Sequence, residues 1–365
     1  MSTFATASSR LSWGVLKKLQ DDTTSEIPTI FSPLSIATAL GMLAGGANVA
    51  KRLEFTQQLG LTDSDEPGTA FEQFASKLGS AGDENPLSVA NAVFTDKSTE
   101  LFPAYVDYLK RFSASTTQFP SLASAVDDIN AWISRNTNEL IKNMLSASAL
   151  ANSHIVLVNA LAFKGIWKKQ FNADKTDKQH AFQVNTDTQK HVEMMFLEKQ
   201  DIETWQTEEF TAVRLPYAGS SEDYNTSMVA YLPYGDLTAT ELADKLSTDN
   251  TSPQFVPTKY DTFGFPKFKL EASLQLATLL GNLGYPISGN FEEMASGVNQ
   301  VGRIIHQALI NVDEKGTEAA AATAITMRRM RPLNPSSLVF DKPFLFNIIH
   351  DTTQAVLFTG LFTVA

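Results

Sequence analysis

The residues best suited to recognition are Arg328, Arg329 and Arg331, gathered around Met330. A guanidinium carries a permanent charge and a planar fork of donors, so it suits carboxylates and phosphates. Such a cluster also fits a solvated loop. Three arginines make a weak patch for nucleic acid or heparin in a chain of net charge −11 and pI about 5.0. The histidines, His154, His180, His191, His306 and His350, share no metal-ligand spacing. His191 and Glu193 read as a solvated pair in a strand. With no cysteine, disulfides and thiolate chemistry are both excluded. No GxSxG, HExxH or GxxxxGK[ST] occurs. GMLAGG at 41–46 lacks the phosphate-binding lysine and reads as a helix end. No catalytic residue, metal or cofactor is expected.

The arginines stand at the end of a long unusual stretch, NVDEKGTEAAAATAITMRRMRPLNP, residues 311–335. An alternating strand runs into it. Ile304, His306, Ala308, Ile310 and Val312 share one face, and Gln307, Leu309 and Asn311 the other. His306 on the apolar face reads as a buried, hydrogen-bonded histidine. Strand periodicity stops near Glu314, and Gly316 follows. Then come Thr317, Glu318, Ala319, Ala320, Ala321, Ala322, Thr323 and Ala324; Pro332 and Pro335 break regular structure beyond the arginines. The small-residue run has two readings. Alanine favours a helical turn. Small side chains can also enter a crowded sheet, where large ones would cost roughly 1–3 kcal/mol each.

The rest of the chain divides into early helices and late strands, an α+β pattern. Helices are predicted at 9–20, 33–45, 48–59, 68–79, around 105–112, at 126–144, 237–246 and 274–283. Ser32 caps the second, with Pro33 at its first position. Strands are predicted at 30–31, 88–94, 155–163, 192–197, 212–216, 228–232, 262–270, 304–313, 338–340, 343–349 and 355–362. IVLVNALAF at 155–163 is almost wholly apolar, as in a strand buried on both faces, and Asn159 is its only polar residue. No stretch approaches the ~18 apolar residues of a membrane span. The N-terminus has no charged n-region and no long apolar run, so no signal peptide is expected. The expected location is the cytoplasm, or outside by a non-classical route. The sequons at Asn225 and Asn250 are expected to go unused.

Several stretches together resemble the serpins, the serine-protease inhibitor family. EKGTEAAAATA resembles the hinge of inhibitory members. FSPLSIATALGMLAGGA at 31–47, LVNALAFKGIWKKQF at 157–171 and the C-terminal FDKPFLFNIIHDTTQAVLFTG resemble family segments in family order. The resemblance implies one domain over 1–365, with about three β-sheets, eight to nine helices and an exposed reactive-centre loop at about 315–337. It implies a hinge formed by Glu314, Gly316, Thr317, Glu318, Ala319, Ala320, Ala321, Ala322 and Thr323. It places Ser32, Ser35, Asn159 and His306 at the shutter, where the central sheet parts, and Trp167 at the breach, where the loop first enters.

The activity this implies is suicide inhibition. A protease attacks the loop, an acyl-enzyme forms, and the cut loop inserts into the central sheet. Thr317, Ala319, Ala321 and Thr323 would then face the core, and all four are small. Arginine in the loop implies a trypsin-like target, whose acidic pocket accepts it. Counting sixteen residues from Glu314 places the cut after Met330; pocket chemistry favours a cut after Arg329. A cut after Arg331 is disfavoured by Pro332. The only partner expected is the protease, with no nucleic acid and no membrane. The protein is expected to be a monomer that polymerises on heating. A carrier or chaperone without inhibitory activity, and a cross-class inhibitor of cysteine proteases, are the alternative functions.

Overall fold

The structure, a computed structural model, describes residues 3–21, 26–61, 66–75, 87–143, 145–219, 225–248, 253–297, 301, 303–316 and 336–364. The expected hinge from Thr317 onward, the arginine cluster and Asn250 lie outside the described residues.

The segment Pro33–Gly45 is helical because its start and stop are both written into it. Ser32 Oγ accepts the Ser35 amide at 3.0 Å, Pro33 fills the first turn, and the Gly46 amide returns to Leu43. Every residue of this helix is buried. Gly45 is required by its neighbour, since a Cβ there would fall 2.0 Å from the Tyr108 ring. The helix lies against the N-terminal helix Thr3–Gln20 and a five-stranded sheet.

That sheet runs in the order Phe268–Gln275, Arg303–Val312, Ile155–Phe163, Leu87–Asp96, Ser115–Phe119. Its centre is a parallel pair, Arg303–Val312 against Ile155–Phe163. All nine positions of Ile155–Phe163 are buried, as its apolar run requires. Successive residues feed two different cores. Leu157, Leu161, Ile304, Ala308 and Ile310 join a cluster reaching from Ala7 to Phe362. Val156, Val158, Ala160, Ile305 and Leu309 join a second one, closed by Ile129 and Ile133 of the helix Val126–Asn136.

The remaining nine strands form one hydrogen-bonded ladder joined through the 18-residue strand Gln189–Gln206. Its first part pairs with Asp177–Gln183, its last four residues pair with Phe210–Pro216, and Val256–Pro266 runs along most of its length. By hydrogen bonding the described strands thus form two sheets, where about three were expected, because Gln189–Gln206 pairs with both Phe210–Pro216 and Val256–Pro266 and joins the strands on either side.

Several boundaries differ from expectation. The helix expected to reach 144 ends at Asn136, because Asn138 and Glu139 take left-handed φ of 50° and 61°. The strand expected over 262–270 is two, Val256–Pro266 and Phe268–Gln275, in different sheets and divided at Lys267. Ser115–Phe119 and Asp177–Gln183 are strands that the sequence hides, since both are polar and largely exposed.

Candidate functional site

The polar residues of the central sheet meet in single file. The Ser32 amide donates to His306 Nε2 at 2.9 Å. That nitrogen must therefore be unprotonated, so Nδ1 carries the proton and faces Asn159 Oδ1 at 3.3 Å. Asn159 Nδ2 donates to Asn91 Oδ1 at 2.5 Å, and Asn91 Nδ2 donates to the Phe112 carbonyl at 2.9 Å. The strands dictate this order. His306 stands opposite Asn159 across the parallel pair, and Asn159 opposite Asn91 across the next. Every donor in the file points the same way.

His306 is fully buried, and burial pushes its pKa down to about 3. The ring is neutral at physiological pH, as the file requires. Ser32, Asn159 and His306 thus meet in one file. Ser35 is buried beside them and gives its amide to Ser32, but its hydroxyl has no partner among the described residues. Asn91 is the member that sequence reasoning missed. Its signal was a lone asparagine within the buried run Ala90–Phe94.

One end of the same strand pair holds a second arrangement. Trp167 donates its indole Nε1–H to the Asp313 carbonyl at 2.9 Å and its amide to the Lys315 carbonyl at 2.8 Å. The Phe171 amide donates to the Glu314 carbonyl at 2.8 Å. The Asp313 carboxylate accepts the Lys315 and Gly316 amides, closing the turn. The Trp167 ring stacks on Tyr217, 4.4 Å between centroids at 12°. Gly316 passes so close to the chain at Gly165 that a Cβ would lie 2.0 Å from its carbonyl oxygen, so only glycine fits.

Glu314 is anchored too. Burial raises its pKa, but hydrogen bonds from the Thr176 hydroxyl (2.7 Å) and its own amide, with the Lys267 ammonium at 3.3 Å, outweigh burial and hold the carboxyl below its ordinary value. The chain segment leading to Thr317 is therefore fixed up to its last described residue.

His154, Asp96 and Ser98 meet at the surface, but not as a triad. His154 Nδ1 faces both Asp96 Oδ2 (2.7 Å) and Ser98 Oγ (3.3 Å), while Ser98 Oγ donates to Asp96 Oδ1 at 2.6 Å. The His154 imidazole therefore does not stand between this hydroxyl and this carboxylate. Among the described residues no group of three or more His, Asp or Glu could hold a metal. No described helix is long and apolar enough to cross a membrane.

The fold and this seam define a class: an α+β protein whose five-stranded sheet carries a polar file across two parallel strands, one of which runs on to the turn from Asp313 to Gly316. A family model described as serpin, serine protease inhibitor, matches residues 6–364. The chain belongs to the serpin family. It is 30% identical to serpin B6 of Macaca fascicularis over the whole of both chains, and 33% identical to Ipis-1 of Ixodes persulcatus over 90% of each. Among solved structures it resembles cleaved Serpin 42Da (TM-score 0.82, 30% identity, 100% of this chain and 99% of that one). It also resembles Arabidopsis AtSerpin1 in its native stressed conformation (TM-score 0.85, 24% identity, 99% and 98%). A thyroxine-binding globulin in complex with thyroxine has the same fold (TM-score 0.79, 23% identity, 99% and 97%).

Proposed function

We propose that this protein is a suicide inhibitor of trypsin-like serine proteases, working as a single serpin domain with Arg329 or Met330 before the scissile bond. The observation that carries this reading is the position of Gly316. The chain leaves the central sheet at Gly316, from the end of one parallel strand and against Ile166, just beyond the other. A strand entering between Arg303–Val312 and Ile155–Phe163 would start from that point. The residues that follow with inward parity, Thr317, Ala319, Ala321 and Thr323, are small enough to enter a filled core.

In the first step the protease serine oxygen attacks the carbonyl carbon of Arg329 or Met330. An ester forms, the peptide C–N bond breaks, and the new amino terminus leaves. Insertion then competes with hydrolysis of the ester. Each new strand hydrogen bond contributes about 1 kcal/mol net. A dozen or so would contribute on the order of 10 kcal/mol, comparable to the stability of a whole domain. That is enough to distort an attached protease before water releases it. The chain supplies bait and spring, and no catalytic group.

Arg329 is favoured over Met330 by the acidic pocket of trypsin-like enzymes. Arg329→Ala should lose most trypsin inhibition while Met330→Ala keeps it, read as the yield of an SDS-stable complex and by mass spectrometry of the released peptide. A cut mapped after Met330 would move the bond by one residue. Uninhibited cleavage without a stable complex would remove the inhibitory reading. A carrier role would then lead, supported by the fold shared with the thyroxine-binding globulin. A cysteine protease accepting arginine is the remaining target class, and a protease panel separates it from the serine enzymes.

A further inference from the structure

Beside Trp167 lies a cavity of about 400 Å³, within the roughly 300–1,000 Å³ of small-ligand sites. Its apolar lining comes from Trp167, Phe171, Ile202 and Leu215, all buried. Lys168 and Lys169 also line it; both are exposed, and the described residues give neither an ion pair. Arg214 lines it as well. Its guanidinium binds Asp351 at 2.9 Å and lies 3.9 Å from Glu203, but its Nε is buried with no hydrogen-bond partner among the described residues. The lining carries three cations, Lys168, Lys169 and Arg214, against two acids, Asp201 and Glu203. That local sign is opposite to the chain's net charge of −11.

We propose that this cavity binds a small amphipathic aromatic anion, and that the bound molecule clamps the turn from Asp313 to Gly316. An apolar ring system would lie on Trp167 and Leu215, with its charge at Lys168 and Lys169 and an acceptor toward the open Arg214 donor. The link to the turn is direct. Trp167 holds the Asp313 and Lys315 carbonyls, and Phe171 holds the Glu314 carbonyl. A ligand pressed on these two side chains restricts the backbone that grips the turn, and the free energy of binding favours that gripped arrangement.

The probe is 8-anilinonaphthalene-1-sulfonate, used on the intact full chain without protease, so the outcome does not depend on inhibitory activity. Equilibrium dialysis should give one molecule per chain. Lys168→Glu/Lys169→Glu reverses two exposed charges and should weaken binding about tenfold. Hydrogen exchange at the Trp167 and Phe171 amides should slow when the probe saturates. Several molecules per chain, binding indifferent to the charge reversal, or exchange at these amides unchanged at saturation would each overturn the proposal.

Discussion

Around Phe344 the rings of Phe265, Phe340 and Phe362 pack with centroids 5.0 to 5.3 Å away, and Phe268 and Phe346 close the group. Around His306 the arrangement is the reverse: a file of hydrogen bonds one residue wide, from the Ser32 amide to the Phe112 carbonyl. Both regions are buried in the same protein, and they resist change differently. Ring packing has no preferred direction of failure; a small shift loses a little contact everywhere. A hydrogen-bonded file has all-or-none character, because losing one member strands its neighbours in a medium without water. The file crosses the two parallel strands at the His306–Asn159 rung. The proposed mechanism requires that the sheet part there without dismantling the aromatic end.

The largest effect should come from the aromatic side. Phe344→Ala removes a fully buried ring and should cost roughly 3–5 kcal/mol. On this account the loss falls equally on the intact protein and on protein cut in its loop, so both melting temperatures drop together. A drop confined to the intact form would break the contrast between the regions.

Asn159→Ala comes next. It strands the His306 Nδ1–H and Asn91 Oδ1, at about 1–3 kcal/mol for each orphaned group. The expected signature is selective: polymers on native gels at a lower temperature than wild type, ahead of global melting. A variant that simply melts earlier, with no polymer, would place the seam in the same class as the rings.

The pH dependence is smaller and has a definite sign. Burial lowers the His306 pKa from 6.5 to about 3. Above pH 6.5 the ring is neutral in both folded and unfolded chains, and its contribution is fully present. Between 6.5 and about 3 only the unfolded chain takes the proton, so stability falls as pH falls, by about 1.4 kcal/mol per unit. His306→Gln cannot titrate. From pH 6.5 to 5 the wild type should lose roughly 2 kcal/mol more than this variant, read from urea unfolding at each pH. Parallel losses would mean that the ring is not the titrating group.

Legibility in the sequence followed the same divide. The buried strand Ile155–Phe163 and the capped helix Pro33–Gly45 could be read directly, because burial on all sides and a Ser-Pro start leave strong local marks. His306 and Asn159 stood out as polar residues in apolar runs, and the fold set them opposite each other. Asn91 was equally buried, but nothing local tied it to a strand 68 positions away. Asp313 and Glu314 also hid their roles: their backbone carbonyls, not their side chains, are what Trp167 and Phe171 hold. The helix Val126–Asn136 stopped early because left-handed residues at Asn138 and Glu139 override a continuing apolar stripe.

The central claim is that the loop can fill the seam, and the most direct measurement compares melting before and after limited proteolysis between Ala324 and Pro332. If the cut loop inserts between Arg303–Val312 and Ile155–Phe163, the cleaved protein melts well above the intact one and stays monomeric on heating, while the intact protein polymerises. Equal melting temperatures for the two forms would contradict it.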